Sequence, residues 1–173
     1  SKGVNMIRPC DLDAVDARKL IGNKKLSPLE LTKSCIEQIE KLNPSINAVV
    51  AIDKADVLKQ AKKAEDDVMS GSGLGLLHGL PVGIKDLNIV KNLRSTSGSK
   101  IYENRIPESD DTIVEDIRSE GAIIFCKTNT PEFGAGGNTK NFVYGSTSNP
   151  FDITKTPAGS SGGSAAALAC NMM

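Results

Sequence analysis

The sequence predicts an α/β protein in which a helical N-terminal region packs on a mixed central sheet. Three observations support this fold class. Residues 1–75 show helical periodicity and capping residues, residues 76–173 contain short β-type runs and many glycines, and a helical segment directly precedes a fully apolar run at 122–126. A helix followed at once by a buried strand is typical of parallel or mixed sheets. We expect residues 1–173 to belong to one domain.

The first part of the chain predicts two helices. The first begins near Asp11, places Val15 on an approximate apolar stripe, and is stopped by Gly22. The second opens with the capping box Ser27-Pro28-Leu29-Glu30, which has proline at its first helical position, and ends at Asn43-Pro44.

A strand and a third helix follow. Residues 46–52 are mostly apolar and predict a buried strand, and residues 53–69 predict an amphipathic helix whose alternating charges form a solvated face. The glycine and serine residues at 70–73 end this helix.

The second part of the chain predicts the beginning of an α/β core. Residues 81–84 read as a strand, Asp110 or Asp111 caps a helix that ends at Ser119, and residues 122–126 form a buried strand. About thirty loop-rich residues follow, and so long an irregular stretch in a compact domain usually lines a site.

Composition narrows the classes of function. The chain has 21 Lys and Arg residues and 21 Asp and Glu residues. Its net charge therefore does not favour binding to nucleic acid or to an anionic membrane. The four cysteines are widely spaced, which indicates reduced thiols in a cytoplasmic protein. No apolar run is long enough for a membrane span. His78, the one histidine, lies in an apolar stretch and is interpreted as structural, and no metal or cofactor is expected.

Two segments carry the candidate chemistry. Pro157-Ala158-Gly159-Ser160-Ser161-Gly162-Gly163-Ser164 places paired hydroxyls in a glycine-rich turn before a helix. Lys85 follows the predicted strand 81–84, where partial burial would lower its pKa until the neutral amine can accept a proton from a hydroxyl. The alternatives are a surface ion pair between Lys85 and Asp86, and a phosphate-binding loop, which lacks the Gly-Lys-Ser/Thr ending.

The chain resembles the amidase-signature hydrolases. Four ordered segments carry the resemblance: 79–86 around Lys85, 127–134, 144–152, and the turn at 159–164. The resemblance implies an α/β/α layered fold, incomplete in this chain, with 1–75 as its helical N-terminal region and 76–173 as the start of its core. It also implies a Ser-Ser-Lys triad in which Lys85 is the base, Ser160 is a relay serine next to a cis peptide, and Ser161 supports the network.

Other residues receive their roles from the same resemblance. Gly134, Ala135 and Gly136 are expected to border the acyl pocket, although a tight turn explains them equally well. Lys127 and Ser164 are interpreted as structural, and Ala158 stands where the family often has glycine. The family's acyl-accepting serine lies roughly two dozen residues beyond the relay serine, whereas thirteen residues follow Ser160 here, so we expect the 173 residues alone to be inactive.

The function predicted is hydrolysis of a carboxamide through an acyl-serine intermediate, with a small-molecule amide as substrate and no direct contact with nucleic acid or membrane. The amino-acid sequence of residues 128–134 favours a stand-alone amidase. Two alternatives stay open: the amidase subunit of a glutamine-dependent tRNA amidotransferase, and a truncated non-catalytic protein that binds a partner. Association of copies, for example as a homodimer, through an exposed sheet surface is a further expectation.

Overall fold

Five α-helices and five strands are found in the computed structural model, which describes residues 7–173. The helices are α1 (Ala14–Gly22), α2 (Pro28–Ile46), α3 (Lys54–Met69), α4 (Thr112–Ser119) and α5 (Gly162–Ala169). The strands are β1 (Val49–Ala51), β2 (Pro81–Lys85), β3 (Ile123–Thr128), β4 (Lys140–Asn141) and β5 (Gly145–Ser146).

Side-chain caps determine where the first three helices begin. The side chains of Asp13, Ser27 and Asp53 each accept a backbone N–H from the first turn of their helix. The first helix therefore starts at Ala14 rather than near Asp11, which ends a short 3₁₀ turn. Val15 is 63% exposed, so its predicted place on the apolar stripe is wrong.

The second helix passes through the predicted stop at Asn43-Pro44 and ends at Ile46. A proline in the last turn removes only one hydrogen bond, and Asn47, at φ 54°, ends the helix in the left-handed conformation. The predicted strand 46–52 is consequently shortened to Val49–Ala51, because its first residues are used by the helix and its cap.

The main sheet is mixed, as predicted, with strand order β1-β3-β2. Strand β3 is antiparallel to β1 and parallel to β2, and all six of its residues are buried. Both β2 and β3 extend beyond the ranges predicted, to Lys85 and Thr128. The pairing of Lys85 with Thr128 brings the ends of the two strands together.

A β-bulge in β3 reverses the alternation of its side chains. Val82 pairs with Ile124 and Gly83 pairs with Cys126, so Phe125 is the extra residue. Beyond the bulge, Lys127 lies on the same side of the sheet as Ile124. Thr128 lies on the other side, together with Lys85.

Helices cover both faces of the sheet. The larger apolar core contains residues of the first three helices, Ile123 and Phe125 of β3, and Ala166 and Ala167 of α5. A smaller core on the other face joins Ile84 and Ile124 to Val114 of α4. These two layers agree with the expected α/β/α arrangement.

Capping of α4 differs from the expectation. Asp111 is the N-cap residue, but its carboxylate accepts the N–H of Ile89 instead of capping the helix. Asp110 pairs with Arg118 at 2.7 Å. Arg118 lies in the last turn of α4 itself, so neither aspartate caps the first turn of the helix.

Residues 129–161 are mostly irregular, as predicted, and include the short ladder of β4 and β5. Within residues 7–173, no helix combines the length and apolar character needed to cross a lipid bilayer.

Candidate active site

Lys85 and the two serines of the glycine-rich turn come together at the end of β2. The Nζ atom of Lys85 donates to Ser160 Oγ at 2.6 Å and to Ser161 Oγ at 3.1 Å. The fold joins residues that are 75 positions apart in the chain, because β2 ends beside the loop that enters α5. A lysine at this distance from a hydroxyl can exchange a proton with it directly.

The environment of Lys85 disfavours its charged form relative to a fully solvated lysine. Desolvation by burial lowers the pKa of its amine below the ordinary lysine value. A lower pKa increases the fraction of free amine at neutral pH, and a free amine can accept the proton of Ser160. The alternative ion pair between Lys85 and Asp86 is absent from the described residues, since Asp86 pairs with Lys127 instead.

Close packing around the turn explains two of its glycines. A Cβ atom on Gly163 would lie 2.8 Å from the Cα atom of Asn129 and still closer to its backbone N and O atoms, and one on Gly159 would lie 2.7 Å from the carbonyl oxygen of Gly136. Neither neighbour is a flexible side-chain end, so a larger residue would displace the loop. The peptide bond between Gly159 and Ser160 is cis, as the resemblance implied.

Ala158 has a backbone conformation that favours glycine over alanine. Its φ angle is 67°, in the left-handed region that glycine adopts without steric cost. This conformation gives a physical reason for a glycine preference at the position.

The predicted pocket residues lie against the same turn. Gly136 touches Gly159, as described above, and a Cβ atom on Gly134 would lie 2.6 Å from the side chain of Leu87, two residues beyond Lys85. Ala135 and Gly136 are exposed, and Gly134 is half-buried. The structure thus brings 134–136 next to the Lys85 and Ser160 pair.

Lys127 occupies a separate, fully buried polar cluster. Its Nζ atom lies 3.1 Å from Asp86 Oδ1, and it donates to Ser95 Oγ at 3.1 Å and to the carbonyl oxygen of Asn88. Asp86 also accepts the hydroxyl of Thr96 at 2.6 Å. Burial lowers the pKa of Lys127 while the Asp86 carboxylate opposes the shift. These partners fit the structural role expected for Lys127.

The other residues predicted to be structural have polar partners or packing that explain them. Ser164 Oγ lies 2.6 Å from Thr128 Oγ1, and a ring nitrogen of His78 lies 2.9 Å from the carbonyl oxygen of Ala64. The four cysteines are buried, and burial raises the pKa of Cys35 and of Cys126 to about 12.

Sequence reasoning missed the residues that hold the turn. Thr130 donates to the carbonyl oxygen of Ser160 at 3.2 Å, and Thr139 donates to that of Ala158 at 2.6 Å. Thr130 belongs to the segment 127–134 that carries the resemblance, so its position in the sequence was one indication of a role near the site. Thr139 lies in an irregular loop, where no periodicity or motif marks it.

Comparison with known proteins identifies relatives of this chain. The Amidase family model matches residues 30–173. Over 148 residues the chain is 40% identical to a glutamyl-tRNA(Gln) amidotransferase subunit from Acaryochloris marina, and the match covers 86% of this chain and 31% of that protein. The chain therefore spans about a third of the length of the curated relatives it matches.

Solved structures give the same result. A bacterial aryl acylamidase of the amidase-signature family superposes with a TM-score of 0.87 at 31% identity, covering 94% of this chain and 34% of the other. The corresponding amidotransferase subunit from Thermotoga maritima superposes with a TM-score of 0.71 at 31% identity, with the same two coverages. With the family match over most of its length and this agreement in fold, the chain belongs to the amidase family, whose members include amidase-signature hydrolases.

Proposed function

We propose that the whole protein hydrolyses a carboxamide to a carboxylate and an amine or ammonia through an acyl-serine intermediate. In this proposal Lys85 is the general base, Ser160 relays the proton and Ser161 supports the pair. The observation that carries it is the 2.6 Å contact between Lys85 Nζ and Ser160 Oγ, at a lysine whose pKa burial lowers. A partly buried amine beside a hydroxyl is a suitable pair for activating a nucleophile.

The proton transfers follow from this geometry. The neutral amine of Lys85 takes the proton of Ser160, whose oxygen takes the proton of an attacking serine hydroxyl. The attacking oxygen forms a bond to the amide carbon, and the C–N bond then breaks as the leaving nitrogen receives the proton back along the same path. Water hydrolyses the acyl-serine by the same sequence of transfers, which restores the Lys85 and Ser160 pair.

The attacking serine and the oxyanion donors are assigned to parts of the protein beyond these 173 residues. The loop 134–136 supports this proposal as one wall of the acyl site, because its small side chains leave space beside the turn. Donors to the oxyanion contribute about 10²–10³-fold each in comparable acyl transfers.

The test is replacement of the base in the full-length protein. Lys85→Ala and Ser160→Ala should each abolish labelling of the protein by a fluorophosphonate and its hydrolysis of a chromogenic anilide. Lys63→Ala, on the exposed face of α3, is the matched control and should retain both. Unchanged labelling and turnover in Lys85→Ala would remove the basis of the proposal.

A second candidate function is the amidase subunit of a tRNA-dependent amidotransferase. The 40% identity to a subunit of such an enzyme favours it. In this case the amide donor would be glutamine, and the ammonia would be passed to a second active site. Co-purification with partner subunits, together with turnover that depends on tRNA, would distinguish this function from that of a stand-alone amidase.

Association through the sheet is a separate proposal. Strand β2 has β3 as its neighbour on one side and, among residues 7–173, no strand on the other. Beside it lies an apolar groove of about 330 Å³, lined in part by Leu80, Val82 and Leu168. Unpaired edges and apolar grooves favour contact with further protein. A single monomeric species of the full-length protein in light scattering would contradict association of copies through this surface.

A further inference from the structure

Two buried threonine hydroxyls donate hydrogen bonds to the main chain of the loop that contains Ser160. Thr130 Oγ1 donates to the carbonyl oxygen of Ser160 at 3.2 Å, and Thr139 Oγ1 donates to the carbonyl oxygen of Ala158 at 2.6 Å. Both threonines are completely buried, whereas Ala158 and Gly159 are exposed. The two hydroxyls therefore connect an exposed loop to the interior on either side of Gly159.

No backbone N–H of residues 7–173 donates to either of these carbonyl oxygens. The threonine hydroxyls are thus the protein donors that these groups have within that range. A loop without ladder or helix hydrogen bonds is fixed only by such contacts and by packing. Loss of either hydroxyl would leave the carbonyl without that donor and release one side of the loop.

Neighbouring contacts show that the hydroxyls belong to a larger attachment. The carbonyl oxygen of Asn129 accepts the N–H of Gly163 at 3.2 Å, and Thr128 Oγ1 lies 2.6 Å from Ser164 Oγ. Residues 128–130 therefore contact the turn near both of its ends. Thr128 pairs with Lys85 across the sheet, so one short segment is joined to the base and to the loop that carries Ser160.

We propose that Thr130 and Thr139 are positioning residues that hold Ser160 at proton-transfer distance from Lys85. This inference rests on the proposed function and adds two residues to it. Neither threonine touches the reacting atoms, and each acts through the main chain of the loop. Because a misplacement of 1 Å can cost about 10²-fold in rate, a hydrogen bond on each side of Gly159 is sufficient to influence catalysis.

The experiment removes each hydroxyl without changing the size of the side chain. In the full-length protein, Thr130→Val and Thr139→Val are compared with wild type in the rate of fluorophosphonate labelling, resolved into the maximal rate and the reagent concentration for half-maximal rate. We expect the maximal rate to fall about 10-fold or more for each variant, while the half-maximal concentration stays within about two-fold. Thr130→Ser and Thr139→Ser keep the hydroxyl and should restore most of the rate.

Thr32→Val is the matched control. Thr32 is also completely buried, but its hydroxyl has no hydrogen-bond partner within residues 7–173, and it lies in α2. Its replacement should leave both labelling parameters unchanged. A thermal melt of each variant, with labelling measured well below its midpoint, separates loss of the folded protein from loss of rate.

Each outcome decides between the proposals. Valine variants that label at the wild-type maximal rate, or serine variants as slow as the valine variants, would overturn the positioning role. If Thr130→Val does not fold, the comparison of Thr130→Ala with Thr130→Ser and the independent Thr139 pair test the same point. If Lys85→Ala labels normally, the proposed function itself is wrong, which is a different result from failure of the threonine variants alone.

Discussion

Replacement of Lys127 by methionine should destabilise the protein strongly, although Lys127 lies outside the proposed triad. Lys127 and Asp86 are both completely buried, with Nζ and Oδ1 3.1 Å apart. The methionine side chain keeps most of the volume of lysine but removes the cation, which leaves the Asp86 carboxylate with Thr96 as its main partner. Removing one partner of a buried pair typically costs about 3–5 kcal/mol, because the remaining charge is uncompensated.

The double variant tests the origin of this cost. Asp86→Asn with Lys127→Met removes both charges while the asparagine oxygen can still accept from Thr96. The sum of the losses in free energy of unfolding of the two single variants should therefore exceed the loss in the double variant by about 2 kcal/mol. Lys63→Met is the surface control: Lys63 pairs with Asp67 across one helical turn with 77% of its side chain exposed, so its loss should cost under about 0.5 kcal/mol.

Urea unfolding of the full-length variants, followed by far-ultraviolet circular dichroism, measures these differences. A loss of less than about 1 kcal/mol in Lys127→Met would mean that groups other than Lys127 compensate the buried charge of Asp86. Strict additivity in the double variant would refute the coupling between Lys127 and Asp86. Either result would contradict a stabilising ion pair between Lys127 and Asp86. Similar losses in the Lys63 control would show that the assay does not distinguish buried from exposed pairs.

Three further predictions concern the site. Because burial lowers the pKa of Lys85, kcat/KM of the full-length enzyme should rise with pH through a midpoint below the ordinary lysine value; a midpoint at or above that value would contradict the role of burial. Gly163→Ala should lower the free energy of unfolding by about 1–3 kcal/mol and slow fluorophosphonate labelling, because the new Cβ would collide with the backbone of Asn129. The control Gly73→Ala should have neither effect, because no atom lies within 4 Å of its new Cβ. The 173-residue chain expressed alone should show no amide hydrolysis in a chromogenic anilide assay, and turnover above that of its Lys85→Ala variant would refute this expectation.

The prediction from sequence worked best where a local signal has one physical meaning. The cap at Ser27 marks its helix because its side chain satisfies free N–H groups of the first turn. The apolar run 122–126 marked a buried strand, because its unbroken hydrophobicity leaves no face for solvent. Prediction failed at Pro44, where the left-handed Asn47 three residues beyond the helical proline decides the helix end, and at Val15, whose exposure depends on which elements pack nearby.

Motif order in the sequence determined the family, the candidate base Lys85 and the candidate relay Ser160, because residue type and spacing are sufficient to mark a glycine-rich turn and a lysine at a strand end. Tertiary structure alone decided how these groups meet. The bulge at Phe125 places Lys127 with Asp86 and Thr128 beside Lys85, and no periodicity in the sequence encodes that reversal. The threonine contacts to the turn likewise depend on which loop crosses beneath it, since a hydroxyl finds its acceptor only after distant segments have packed.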